Sequence, residues 1–305
     1  MGSVLTLKPS YYQALLRLTL ELAGVNLGAG HEFLIETRLG ALARREGYES
    51  LSAMIEELFS TGQTRLAVQV VSTLLERDTQ FFEDMDGYHT LVDKVIPSVL
   101  GQTSDETIRI LSFGCSSGQE PYSLLMMLAE MNLKSPVTKF DITAVDYPSM
   151  AMDRAREGRY THFEVQRGLP ISKLVKYFDR KGEDWVIKKT LRKGVTFKDV
   201  HLLSKLDELG DYHIVLFRNN LSHYSSPAQV RVLRSLSKTV KHEGYLMLGT
   251  QETLNHINYG YDDVKSSPGT YRRYAAAPIK PPIDPDLKTP SKHTTFEKAR
   301  KRGAA

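Results

Sequence analysis

One stretch constrains this chain more than any other: Ile-Arg-Ile-Leu-Ser-Phe-Gly-Cys-Ser-Ser-Gly-Gln-Glu-Pro-Tyr-Ser-Leu-Leu-Met-Met-Leu, residues 108–128. It reads as strand, tight turn and helix. Ile108, Ile110 and Leu111 form a short apolar, β-branched run. Gly114 and Gly118 bracket small residues. Gln119-Glu120-Pro121 then opens a helix, where proline is favoured because its missing N–H costs nothing in a first turn. Tyr122, Leu125, Met126 and Ala129 follow at helical spacing. Such a turn suits a cofactor, since glycines admit a ligand to the backbone and free amides face it. It equally suits a close crossing of strand and helix. The spacing is neither the dinucleotide fingerprint nor a phosphate loop.

What weighs toward a ligand is the company this turn keeps. Strands alternate with helices from here on: Ile108–Phe113, helix 120–131, Lys139–Val145, helix 148–157, Val195–Phe197, Ile214–Phe217, helix 227–240 and Tyr245–Leu248. Alternation of this kind predicts an open, mostly parallel sheet with helices on both faces, binding ligands at the strands' carboxyl ends. There the sequence places Gly114, Asp146 and Arg218-Asn219. An acidic residue ending the second strand suits ribose hydroxyls; Asp146 also suits capping the helix near Pro148.

Before the sheet, residues 10–75 carry helical spacing only. Tyr11 to Leu22, the stretch 31–46, Leu51 to Phe59 and Leu66 to Leu75 predict a small all-helical domain. Leu20 and Phe33 count among its apolar positions, while Arg38, Arg44 and Arg45 make either a solvated face or a docking face for an acidic partner. Thr79-Gln80-Phe81-Phe82 follows as a hinge whose aromatics are core or pocket wall, and a helix spans about 88–100. Residues 158–198 interrupt the alternation with Tyr177-Phe178, Trp185-Val186-Ile187 and Val195-Thr196-Phe197, which predicts a small antiparallel insertion.

The net charge is +4, and the tail from residue 276, with seven Lys/Arg and three Asp/Glu, accounts for all of it. The balanced remainder marks no nucleic-acid binder. That tail is Pro-rich and polar, and disorder is expected there. No apolar run reaches the ~20 residues of a membrane span, and the first residues show neither a signal peptide nor a good myristoylation pattern. Cys115 is the single cysteine, so no intrachain disulfide forms and a reducing cytoplasm fits. Without a neighbouring base it reads as a packing residue, not a nucleophile.

The chain resembles the CheR family, chemotaxis-type protein-glutamate O-methyltransferases that use S-adenosylmethionine. The resemblance spans residues 10–275 and rests on motifs in order: Thr-Gln-Phe-Phe at 79–82, Ser-Ser-Gly-Gln-Glu-Pro-Tyr-Ser at 116–123, Ala-Val-Asp at 144–146, Ala-Arg-Glu-Gly-Arg-Tyr at 155–160, Arg-Gly-Leu-Pro at 167–170, Phe-Arg-Asn at 217–219 and Leu-Gly-Thr-Gln-Glu-Thr-Leu at 248–254. It implies a helical N-terminal domain (1–87), a Rossmann-like α/β class I methyltransferase domain (88–275) with a β-subdomain inserted at 159–197, and a basic tail (276–305). It implies cofactor contacts at Arg77, Thr79, Glu83, Gly114, Glu120, Asp146, His201, Leu202, Arg218 and Asn219, with the cofactor between the two domains. Arg218, His223 and Tyr224 fall at catalytic positions, and Arg38, Arg44 and Arg45 lie on the receptor-facing helix. The β-subdomain looks shorter than in members that tether a receptor pentapeptide.

Several positions depart from the family pattern. Glu83 replaces an arginine, His201 an asparagine and His223 a tyrosine, while Arg77 stands for an asparagine. The chemistry tolerates some of this. A glutamate carboxylate, with a reference pKa of ~4.3, is already ionised at neutral pH, so methyl transfer to it needs alignment rather than a base. A cation exchanged for Glu83 is costlier, because a unit-charge pair ~4 Å apart interacts by about 4 kcal/mol at an effective dielectric of ~20. The expected activity is thus methylation of glutamates on a chemoreceptor or related signalling protein by a monomer without membrane insertion. S-adenosylhomocysteine is the expected product. The alternative is a weakened relative that binds S-adenosylmethionine as a sensor or docking module.

Overall fold

The computed structural model describes residues 7–27, 30–75, 78–104, 107–131, 139–200, 203, 206–254 and 260–274. The proline-rich tail, Arg77, His201 and Leu202 lie outside the described residues. The described residues divide into two compact units, one of residues 7–75 with His223–Ala228, the other of residues 78–222 and 229–274.

The first unit is helical among its described residues. Helix α1 (Pro9–Ala23) buries Tyr12, Leu15 and Leu18 and stops where the Gly24 amide bonds the Leu20 carbonyl. Helix α2 (Glu32–Arg45) buries Ile35, Leu39 and Leu42. Ser50 caps α3 (Leu51–Thr61) by accepting from the Ala53 amide, and Met54, Ile55 and Leu58 turn inward. Helix α4 (Thr64–Leu75) buries Leu66, Ala67, Val70, Val71 and Leu74. These i, i+3/i+4 stripes are those of helices with one buried face, as the helical spacing implies. Leu20 and Phe33, counted among the apolar positions, are instead exposed, because each sits off its helix's buried stripe.

The second unit opens with α5 (Met85–Thr90), a widened π turn at Leu91–Val95, and α6 (Ile96–Gln102). The helix expected over about 88–100 is thus present as a continuous helical run with one widened turn inside it, and Leu91, Val95 and Ile96 are all buried. Next come β1 (Thr107–Phe113), α7 (Gln119–Leu128), β2 (Lys139–Asp146) and α8 (Met150–Glu157). The inserted segment holds β3 (Arg159–Tyr160), α9 (His162–Gln166), α10 (Ile171–Tyr177), β4 (Phe178–Lys181), β5 (Asp184–Ile187) and α11 (Lys189–Arg192). The sheet resumes with β6 (Val195–Asp199) and β7 (Tyr212–Leu216), followed by α12 (Ser226–Thr239), β8 (Val240–Met247), β9 (Tyr261–Asp263) and β10 (Thr270–Arg273).

The main sheet runs β6-β2-β1-β7-β8-β10-β9. Its first five strands are parallel, while β10 and β9 are antiparallel. Strands β1 and β7 are all but fully buried in sequence order, and such near-continuous apolar runs mark the centre of a sheet covered on both faces. The order reverses between β1 and β7, and at such a switch point a crevice opens beyond the strand ends. The antiparallel insertion is the separate sheet β3-β5-β4. Val195-Thr196-Phe197 does not belong to it: that strand pairs in parallel with β2 at the edge of the main sheet.

The insertion is tied to α7 through charge. Just past α7, Glu130 accepts from Lys173, from Lys176 at 3.1 Å and from the Tyr177 hydroxyl at 3.1 Å. The Lys173 bond, then those of Lys176 and Tyr177, hold this carboxyl down to about 2 against the upward pull of burial. The folded value is thus below the unfolded one, ~4.3. Its stabilisation is complete above the unfolded value and is lost as pH falls through about 2. Glu130→Gln should therefore flatten the stability profile over that acid window, measured as denaturant midpoint against pH. An unchanged slope would show that these bonds do not persist in solution.

Candidate functional site

The site is built at the carboxyl ends of β1, β2 and β7. The Gly114 and Cys115 amides both donate to the Val145 carbonyl, at 2.8 and 3.2 Å, so the turn after β1 is pinned to the end of β2. Asp146 closes the other side. Its Oδ2 accepts from the Ser116 amide and its Oδ1 from the Tyr147 amide, each at 2.7 Å, which turns the carboxylate toward the glycine turn. Both glycines have positive φ, 81° and 88°. The space beside Gly118 is taken by the protein: an added Cβ would lie 3.0 Å from the Ala155 Cβ and 3.2 Å from the Tyr160 hydroxyl. Close packing therefore explains Gly118. Cys115 is buried, and burial followed by Asp146 and Glu120 pushes its thiol well up, as befits a packing residue.

Glu120, in the first turn of α7, reaches back to β1, where its Oε1 accepts from Ser112 Oγ at 2.8 Å. Its Oε2 lies 3.5 Å from Arg218 Nη1. Burial pushes Glu120 upward; Arg218 and Ser112 oppose that, while Glu83 and Glu252 add to it.

Arg218 is the centre of this constellation and is only 5% exposed. Its Nη2 donates to the Glu83 and Asp84 carbonyls at 2.9 and 2.7 Å and pairs with Asp84 Oδ2 at 3.1 Å. The guanidinium stacks 4.4 Å from the Tyr88 ring centre. Asp84 also accepts from the Thr250 amide and hydroxyl, at 3.0 and 2.9 Å. Burial would raise its pKa, but Thr250 and Arg218 outweigh that and leave it lowered.

Asn219 has φ 53°. Its turn is held by Glu252, whose Oε2 accepts from the Asn219 amide at 2.8 Å and the Gly249 amide at 2.9 Å, with Oε1 accepting from the Ser222 amide at 3.3 Å. Glycine is required at 249, since a Cβ there would stand 2.0 Å from Asn219 Oδ1. Asn220 Nδ2 donates to the Arg218 carbonyl at 2.7 Å and the Gly114 carbonyl at 3.4 Å, linking the β7 and β1 turns.

Of the residues the sequence singled out, Glu83, Gly114, Glu120, Asp146, Arg218 and Asn219 come together in the second unit, and Thr79 lies half-buried just before Phe81. Phe81 is core, edge-on to Tyr160 and Phe178. Phe82 lines a cavity of about 450 Å³ with Met85, Met127 and Lys173. His223 and Tyr224 fall in the helical unit, where His223 is exposed and buried Tyr224 bridges to Val25. Arg38 donates to the Leu74 carbonyl at 3.0 Å, which cross-links α2 and α4, while Arg44 and Arg45 are exposed. Asp84, Asn220 and Glu252 belong to the constellation and were not singled out. Glu252 at least stood inside a quoted motif.

Two buried polar atoms here have no hydrogen-bond partner among the described residues: Arg218 Nε and Asn220 Oδ1. One is a cationic donor and the other an acceptor, and Asn220 Oδ1 would lie 3.0 Å from a Cβ at Gly114. A carboxylate and an ammonium on one ligand would satisfy such a pair, and Asp146 offers acceptors for sugar hydroxyls. The residues present therefore fit an amino-acid-bearing nucleoside.

Comparison with known proteins agrees. Residues 77–270 match the CheR methyltransferase, SAM-binding domain. The chain is 33% identical over 250 residues to "Chemotaxis protein methyltransferase Cher2" of Pseudomonas putida, covering 81% of this chain and 91% of that one. It is 33% identical over 254 residues to "Chemotaxis protein methyltransferase 1" of Pseudomonas aeruginosa, covering 82% and 92%. A Vibrio cholerae protein of the same description is 27% identical over 270 residues, covering 88% and 98%. With a sheet that reverses beside the glycine turn, a buried guanidinium between carboxylates and a family match over most of its length, this chain belongs to the CheR methyltransferases and takes S-adenosylmethionine as its cofactor.

Proposed function

We propose that the protein methylates glutamate side chains of a chemoreceptor, or of a related signalling protein, in the cytoplasm. The bond between Asp146 and the Ser116 amide carries the reading, because it aims a carboxylate at the turn where a nucleoside would lie. In this assignment Asp146 holds the ribose, and Glu120, Arg218 and Asn220 hold the amino-acid portion. Thr79, Glu83, Gly114 and Asn219 complete the surround. The names of the relatives support a chemotaxis substrate.

The cofactor supplies an electrophilic methyl group on a sulfonium. The incoming carboxylate is already ionised, so the chain's task is to orient and exclude water, and alignment alone is worth ~7–11 kcal/mol. Arg218 serves as a fixed frame, its charge taken up by Asp84 and Glu120. Exposed Arg44 and Arg45 are assigned to an acidic face of the substrate. The other reading of the sequence, a binding module without turnover, gains no support from the relatives.

The test is transfer of labelled methyl from S-adenosylmethionine to a purified chemoreceptor cytoplasmic fragment. Label should appear and be released as methanol by mild alkali, as a carboxyl ester requires. Alkali-stable label, or cofactor binding without transfer, would overturn the assignment.

A further inference from the structure

We infer that Asp84 is a positioning residue for cofactor binding: it sets the guanidinium of Arg218 so that this cation meets the amino-acid end of the ligand. The inference rests on the cofactor assignment above and adds the residue that fixes one of its contacts. Asp84 itself is turned away from the ligand. Its Oδ2 takes Arg218 Nη2 and the Thr250 amide, and its Oδ1 takes the Thr250 hydroxyl. Any effect it has on binding therefore runs through Arg218.

The local backbone is shaped around this grip. Phe82 and Asp84 both have positive φ, 54° and 58°, a conformation that costs an aromatic residue more than an aspartate. Across these two turns the Glu83 and Asp84 carbonyls converge on one nitrogen, Arg218 Nη2, at 2.9 and 2.7 Å. The Asp84 carboxylate joins them at 3.1 Å. The segment is fastened in its turn. The Phe82 amide donates to Ser123 Oγ at 3.0 Å, and Thr250, just past β8, donates twice to Asp84. Gly87 makes room for the guanidinium, since a Cβ there would stand 2.9 Å from Nη2. Three oxygens thus hold a single nitrogen, and the other two nitrogens are little used. Nη1 meets Glu120 Oε2 only at 3.5 Å, longer than the ~2.7–2.9 Å of a charge-assisted hydrogen bond. Nε has no partner among the described residues, although the side chain is 5% exposed. A buried guanidinium that served the fold alone would have its donors paired. Arginine recognises a carboxylate by direction as well as charge, so a guanidinium freed from Asp84 loses its hold on the amino-acid end of the ligand. The nucleoside end, assigned to Asp146, keeps its own contacts.

The experiment is calorimetric titration of the full chain with S-adenosylhomocysteine and with methylthioadenosine, which keeps the nucleoside and the sulfur and lacks the amino-acid end. Asp84→Asn keeps the size and an acceptor for Thr250 and removes the ion pair. We expect it to weaken S-adenosylhomocysteine about tenfold and methylthioadenosine less than about twofold. Thr250→Val, which removes only the hydroxyl on Asp84 Oδ1, should cost S-adenosylhomocysteine about threefold with the same selectivity. Retained methylthioadenosine binding also reports that each variant is folded; should Asp84→Asn not fold, Thr250→Val decides by the same criterion. Equal losses for the two ligands would make Asp84 a general support of the fold and overturn the inference. Unchanged affinity for S-adenosylhomocysteine would overturn it as well. Wild-type protein that binds both ligands equally would remove Arg218 from the amino-acid end, and this role of Asp84 with it. Wild-type protein that binds neither would overturn the cofactor assignment itself.

Discussion

Arg218→Ala should abolish cofactor binding and destabilise the second unit by about 3–5 kcal/mol, the usual cost of removing one partner from a buried ion pair. The side chain is 5% exposed and holds the Asp84 carboxylate, the Glu120 carboxylate and two carbonyls. Its loss strands two carboxylates where burial already disfavours charge. For a unit of this size the melting temperature should fall on the order of 10 °C. Arg218→Lys should recover part of the stability, because the charge returns, but little binding, because an ammonium lacks the planar fork that spans Asp84 and Glu120. A loss below 1 kcal/mol for the alanine variant, by denaturant titration, would show that the network is not shut off from water.

Asp146→Ala should lower the affinity for S-adenosylhomocysteine by about two decades or more while leaving the chain folded. The carboxylate accepts from two neighbouring amides, and hydrogen bonds to a charged group contribute about 1.5–3 kcal/mol each. Loss of the ribose contact and loosening of the Ser116 amide act on the same ligand, so binding suffers more than stability. Calorimetry and thermal melting on the same samples separate the two. Unchanged affinity would remove Asp146 from the ribose assignment.

These predictions draw unequally on sequence and structure. The strands at 108–113 and 139–145 stood out because each carries a mainly apolar run that becomes buried toward its carboxyl end. The helices of the first unit stood out because one face of each is buried. Strands β9 and β10 were missed, being only 3 and 4 residues long, too short to display a period of their own. Val195-Thr196-Phe197 was placed in the main alternation and in the insertion alike, and pairing with β2 decides for the former. Nothing local to those residues encodes that choice.

The site divides in the same way. Gly114, Glu120, Asp146 and Arg218-Asn219 were legible because each ends or begins an element whose period the sequence displays. Asp84 and Glu252 were not. Asp84 reaches Arg218 across 134 positions and Thr250 across 166, and Glu252 reaches Asn219 across 33. By itself the sequence determined the strand–turn–helix at 108–128, the order of elements and the residue types waiting at the strand ends, since periodicity and turn chemistry act over a few residues. Tertiary structure alone decided which carboxylates share the guanidinium of Arg218, that Gly118 is filled by Ala155 and Tyr160, and that Glu252 carries the Asn219 turn. Those outcomes depend on which distant groups are shut away from water together, and burial is a property of the assembled fold.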